Sequence, residues 1–220
     1  MCGRFTSLLS PELLAVIYEV LAPPDSPLRY NITPSQPVVI VRQDKSGQRE
    51  LASVNWGLIP SWSKDPSLSH SLINARGETV SEKPSFRFAF KHRRCIIPVS
   101  GFYEWQKLDG TKQPWYLKGV EDRPLSLAGL WEHWQSPDGS LIETCAIITT
   151  KANELMAPIH DRMPVILPSE SLATWLEPST TTDELKDLLQ PCASDMLAVY
   201  TVSNLVNNPR FDSPSCIARV

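Results

Sequence analysis

Short apolar runs set the pattern of this chain. Residues 38–41, 51–54, 95–99 and 115–117 are each too short for a buried helix and are bounded by turn-forming residues, so they read as strands. Residues 141–150 and 197–202 carry the same signal. Two Asp-Gly pairs, Asp109-Gly110 and Asp138-Gly139, fall between such runs and predict hairpin turns. Helical spacing is confined to three places. In residues 10–21, Ser10 is a cap and Pro11 suits the first turn, while Leu13, Leu14, Ile17, Val20 and Leu21 recur on one face. Ser169 opens a second helix that runs through Leu176. Thr181 and Glu184 have capping-box spacing for a third, through Leu189.

Many short strands with few helices, and no alternating βαβ units, predict an α+β fold. Its core is a largely antiparallel, curved, barrel-like sheet with peripheral helices. The 20 prolines are spread throughout and form no linker, so residues 1–220 are expected to make one domain.

Composition narrows the function classes. Among 220 residues, 42% are hydrophobic and 20% charged, as in ordinary soluble globular proteins. No apolar stretch approaches the roughly 18 residues of a membrane span, and no signal peptide is evident. The five cysteines are scattered without CxxC spacing. That argues against a disulfide framework and a zinc site, and for a reducing, cytoplasmic compartment. A net charge of −3 excludes a bulk polyanion binder, so any nucleic acid must meet a local basic patch. Gly-rich phosphate loops, HExxH and GxSxG are absent, which leaves nucleotide hydrolases, zinc proteases and serine hydrolases without support.

Cys2 changes the picture most. After removal of Met1, its thiol and free α-amine form a 1,2-aminothiol, which condenses with an aldehyde to a Schiff base and closes to a thiazolidine. The bland role for the same residue is a buried small hydrophobe. Glu104 shares a strand face with Phe102, opposite Tyr103 and Trp105, where desolvation would raise its pKa and suit it to proton transfer. A salt bridge or a solvated face is its structural alternative. His160, in Pro158-Ile159-His160-Asp161-Arg162, is a candidate proton shuttle or a hydrogen-bonded loop histidine. Asn74 and Arg76 project to one face of an extended segment, suiting a sugar or backbone group and a phosphate, or a buried polar network.

Arg87, Lys91, His92, Arg93 and Arg94 are interleaved with Phe86, Phe88 and Phe90, a composition that suits single-stranded nucleic acid and equally a solvated face. Trp62, just past Pro60, is a candidate base-stacking platform.

No one cluster decides the matter, but their order does. Met1-Cys2-Gly3-Arg4-Phe5 is followed by Tyr30-Asn31 with Pro34, then by Trp56-Gly57-Leu58-Ile59-Pro60. Asn74-Ala75-Arg76 with Glu78-Thr79, Arg94-Cys95 leading to Gly101-Phe102-Tyr103-Glu104-Trp105, and His160-Asp161-Arg162-Met163-Pro164 complete the series. Together they resemble the SRAP family of abasic-site processing proteins, over essentially the whole chain.

The resemblance implies a DNA-repair protein that crosslinks itself to the ring-opened abasic sugar in single-stranded DNA. In that role the Cys2 amine forms the Schiff base and the Cys2 thiol closes the ring. Glu104 handles protons, His160 assists sugar-ring opening, and Asn74 orients the sugar or the Cys2 backbone. Arg4, Arg76 and Arg162 grip phosphates, while Trp62 and the residues near Phe86 stack on the strand. No cofactor, metal or membrane is implied, and the protein is expected to be a monomer, nucleoid-associated if bacterial. Weak lyase activity is an implied side reaction of the Schiff base. The family's peptidase label is explained by self-removal of Met1. Two alternatives stay open: an N-terminal-nucleophile cysteine peptidase and a non-covalent single-stranded DNA binding module.

Overall fold

A computed structural model describes residues 2–21 and 27–220. Met1, whose removal the aminothiol chemistry requires, lies outside the described residues. The strands are β1 (Arg4–Ser7), β2 (Arg29–Ile32), β3 (Pro37–Gln43), β4 (Arg49–Trp56), β5 (Asn74–Arg76), β6 (Arg94–Val99) and β7 (Gly101–Leu108), then β8 (Thr111–Gly119), β9 (Leu125–Gln135), β10 (Leu141–Lys151), β11 (Arg162–Pro164), β12 (Ile166–Leu167) and β13 (Leu197–Thr201). The helices are α1 (Pro11–Tyr18), α2 (Arg87–His92), α3 (Leu172–Leu176) and α4 (Thr182–Asp187).

The fold is α+β, as the pattern predicts. Strands β10, β4, β3, β6 and β9 pair in turn, and β9 pairs back to β10, which closes a five-stranded barrel. All of these pairings are antiparallel except β10 with β4. Strand β5 joins β10 in parallel as well. A second, open sheet runs β13-β8-β7-β1-β2. Closure leaves the barrel without free edges, and its small interior is filled by side chains.

Both Asp-Gly pairs are hairpin turns. Gly110 (φ +74°) joins β7 to β8 and Gly139 (φ +89°) joins β9 to β10, each in the left-handed region that a side chain would strain. The Thr181–Glu184 capping box forms, with both reciprocal hydrogen bonds. The second predicted helix begins as a 3-10 turn over Ser169–Ser171 before α3.

The first helix is shorter than its spacing suggests. It ends at Glu19 in the left-handed region, and Leu13, Val16 and Leu21 are exposed. Tertiary contact overrides the periodicity here, because Tyr18 is buried and its hydroxyl shares a 2.8 Å hydrogen bond with Ser126 on β9.

One apolar cluster fills the end of the barrel covered by the helices, around Leu14, Phe90, Trp175 and Leu185. Another lies between barrel and open sheet, with Phe5, Trp56, Ile97, Phe102 and Ile147 at its centre. There Phe5 and Trp56 meet with ring centroids 5.0 Å apart. No helix among the described residues is long and apolar enough to cross a membrane.

Candidate active site at the amino terminus

Strand β1 is the middle of three antiparallel strands, with Phe5 opposite Ile32 on one side and Arg4 opposite Tyr103 on the other. Continuing that register toward the amino terminus runs Cys2 and Gly3 beside Glu104. Cys2 is fully buried, in the cluster between the two sheets. Its carbonyl accepts a 2.9 Å hydrogen bond from Asn74 Nδ2 on β5. Burial, followed by the nearby negative charge of Glu104, pushes the Cys2 thiol far above the usual range. The oxygen of that side-chain amide, Asn74 Oδ1, is buried and has no hydrogen-bond partner among the described residues.

Glu104 sits on β7 at 2% exposure, sharing the inward face with Phe102, while Tyr103 and Trp105 pack on the opposite side of the sheet. Desolvation raises its pKa, and the positive end of His160 is among the effects that oppose the rise. The two residues are thus close enough to interact electrostatically. His160 ends a turn braced by Asn153, whose Oδ1 accepts from the Met156 N–H at 2.9 Å and whose Nδ2 donates to the Cys192 carbonyl at 3.0 Å. His160 Nδ1 accepts from the Arg162 N–H at 3.0 Å. Asp161 Oδ1 stands 2.8 Å from the same nitrogen, a pairing that requires a proton there. The backbone bond is fixed by β11, whereas Asp161 is largely solvated, so we assign Nδ1 as acceptor and the neutral ring's proton to Nε2. Beside it, a cleft of about 280 Å³ opens between Trp105, Gln106, Ile159 and His160.

The structure therefore brings together Cys2, Asn74, Glu104 and His160 from four separate segments. The three arginines expected at phosphates sit in different surroundings. Arg76, exposed on β5 two residues beyond Asn74, forms no ion pair within 4 Å among the described residues, and its charge is one of those that lower the pKa of Glu78. Arg162 is mostly buried and forked onto both oxygens of Glu78, with a further bond of 2.7 Å to the Thr149 carbonyl. Arg4 is engaged within the chain. Its guanidinium donates to Asn31 Oδ1 (2.8 Å) and to the carbonyls of Val206 (2.6 Å) and Asn207 (3.3 Å). Those donors are committed to the chain itself, because the carboxy-terminal segment folds across the end of β1.

Among the aromatics, Trp62 is 61% exposed. Phe86 is not available for stacking, because it is buried in the cluster under the helices; the exposed ring of that segment is Phe88. The basic run also divides. Arg94 is buried and clamps the carbonyls of Phe90, Lys91, Trp175 and Glu177, and Arg93 pairs with the buried Glu132. Arg87, Lys91 and His92 are the exposed members. Two polar residues escaped assignment from sequence. Glu78 and Asn31 lie inside the ordered motifs, but their roles depend on Arg162 and Arg4, which are distant in the chain.

The α+β barrel that carries this cluster is the fold of the SRAP family. The chain belongs to this family, since residues 1–209 match the model for SOS response associated peptidase (SRAP). The abasic site processing protein YoqW of Bacillus subtilis (strain 168) is 46% identical over 222 residues, covering 99% of each chain. HMCES of Xenopus tropicalis, also named an abasic site processing protein, is 34% identical over 200 residues, spanning 80% of this chain and 59% of that one. A crystal structure of a protein from Bacteroides thetaiotaomicron superposes with a TM-score of 0.90 at 28% identity, over the whole of both chains.

Proposed function

We propose that this protein processes abasic sites by linking itself covalently, through Cys2, to the open-chain sugar in single-stranded DNA. The observation that carries the reading is the convergence of the Cys2 main chain, Asn74, Glu104 and His160 at one place.

The order of bond formation follows from the electrostatics. A buried thiol raised by desolvation and by a carboxylate is a poor first nucleophile, the reverse of what a thiolate protease needs. The amine is the better one. Once Met1 is gone, an α-amine with an ordinary pKa is about a tenth unprotonated at pH 7. His160 Nε2–H donates to the ring oxygen of the sugar as the ring opens to the aldehyde. The Cys2 nitrogen adds to the aldehyde carbon, and loss of water gives the iminium. Glu104, holding a proton more readily than an ordinary carboxylate, relays protons to the departing oxygen and from the amine. The Cys2 sulfur then adds to the iminium carbon and its proton passes to Glu104. One C–N and one C–S bond form, and the aldehyde oxygen leaves as water.

Asn74 holds the Cys2 carbonyl through Nδ2, and its Oδ1 is assigned to accept a hydrogen bond from the sugar. Arg76 takes a flanking phosphate and Trp62 a flanking base. Arg162 supports this edge by fixing Glu78 and β10.

The test is a denaturing gel after incubation with a single strand bearing one abasic site. A heat-stable shifted band is expected, lost with Cys2→Ala and in protein that retains Met1. A band that survives both changes refutes the mechanism. Peptide cleavage without a band favours a peptidase, and a shift lost on denaturation favours non-covalent binding.

A further inference from the structure

Helix α2 continues the loop bearing Trp62 into a cationic, aromatic surface whose α2 side chains are not used by the site described above. Its exposed members are Trp62 (61%), Phe88 (49%), Arg87, Lys91 and His92. Among the described residues, neither Arg87 nor Lys91 has a carboxylate partner. His92 is pushed below its ordinary pKa, first by desolvation and then by the charges of Lys91, Arg94 and Arg93. Arg87, Lys91, Arg93 and Arg94 concentrate positive charge here on a chain whose net charge is −3.

The surface is built rather than incidental. Glu132, only 3% exposed, is bound by Arg93, by Ser61 Oγ at 3.2 Å and by the His133 N–H at 3.0 Å. Arg93 lies with its guanidinium carbon 4.8 Å from the Phe88 ring centre and 5.7 Å from that of Trp131. His92 also stands 4.9 Å from Phe88 between ring centres. Ser61 adjoins Trp62, whose Nε1–H reaches the Pro84 carbonyl on the approach to α2. One buried carboxylate thus couples the Trp62 loop to the Phe88 ring.

We infer that this surface is an accessory track for the DNA strand, on which a base beyond the abasic site stacks on Phe88 while phosphates pair with Arg87 and Lys91. Exposed rings between unpaired cations fit a flexible polyanion with accessible base faces, which is a single strand and not a duplex. The inference rests on the reading that the substrate is single-stranded DNA and extends it beyond the lesion.

The test uses the full chain and a fluorescent, undamaged 15-nucleotide oligodeoxythymidylate, with anisotropy followed across a salt series. Phe88→Ala is expected to weaken binding about fivefold, the low end of the stacking range. Arg87→Ala with Lys91→Ala should lower the log-affinity against log-salt slope by about 1.4 for two lost phosphate contacts. Thermal melting controls for folding. Affinity and slope equal to wild type in correctly melting variants overturn the inference, as does equal binding of a duplex that is indifferent to Phe88→Ala. Crosslinking to an abasic pentanucleotide separates the two claims. Variants that match wild type in every assay, while the wild type crosslinks, remove only the accessory track. α2-dependent strand binding with no crosslink from wild type removes the covalent reading and leaves the track.

Discussion

Replacing Asn31 with alanine removes the amide that ties the strand carrying Cys2 to the carboxy-terminal segment. Asn31 is fully buried. Its Nδ2 donates to the carbonyls of Val206 (3.2 Å), Asn208 (3.1 Å) and Phe211 (2.7 Å), and its Oδ1 accepts from Arg4 at 2.8 Å. An NH2 group has two hydrogens, so these carbonyls share about two full bonds, each worth about 1 kcal/mol net. The charged bond from Arg4 adds about 2 kcal/mol. Asn31→Ala should therefore cost about 4 kcal/mol, a large part of the total stability of a domain this size. At about 2–4 °C per kcal/mol for a chain of this length, the melting temperature should fall by about 8–16 °C. Differential scanning calorimetry measures it directly. A fall of less than about 2 °C would refute the account of Arg4 and Asn31 as a clamp and reopen Arg4 as a phosphate ligand.

Two further outcomes follow from the same contacts. Glu104→Gln should slow crosslinking while raising the melting temperature at neutral pH. A carboxyl raised by burial keeps its proton in the folded state longer than in the unfolded one, so wild-type stability falls as pH rises through and above the usual carboxylate range. The difference between the variant and wild type should thus widen from pH 4 to pH 7, and a constant difference across a calorimetric pH series would contradict it. Arg94→Lys should lose about 2–4 kcal/mol, because a single ammonium cannot reach the four carbonyls of α2 and α3 that the guanidinium fork holds; chemical denaturation with an unchanged m-value checks it.

Much of the fold was legible because it is written in local signals. Short apolar runs, two Asp-Gly turns and the Thr181–Glu184 box each act over a few residues, and each forms where the pattern puts it. The candidate site was legible as a set of motifs. Cys2, Asn74, Glu104 and His160 announced themselves by chemical type and order, and Glu104 by its alternation with Phe102 along β7.

What the tertiary structure alone decided is how segments far apart in the chain share their polar groups. The parallel pairing of β10 with β4 that closes the barrel has no local signal. Neither does the choice among the arginines: Arg94 and Arg93 turn inward to carbonyls and to Glu132, Arg4 to Asn31, Arg162 to Glu78, and Arg76 stays exposed. A guanidinium is satisfied by any acceptors that folding brings within reach, and those acceptors lie up to some two hundred residues away in sequence. The residue type fixed what each guanidinium could bind; only the packed chain fixed which of them turned inward and which stayed exposed.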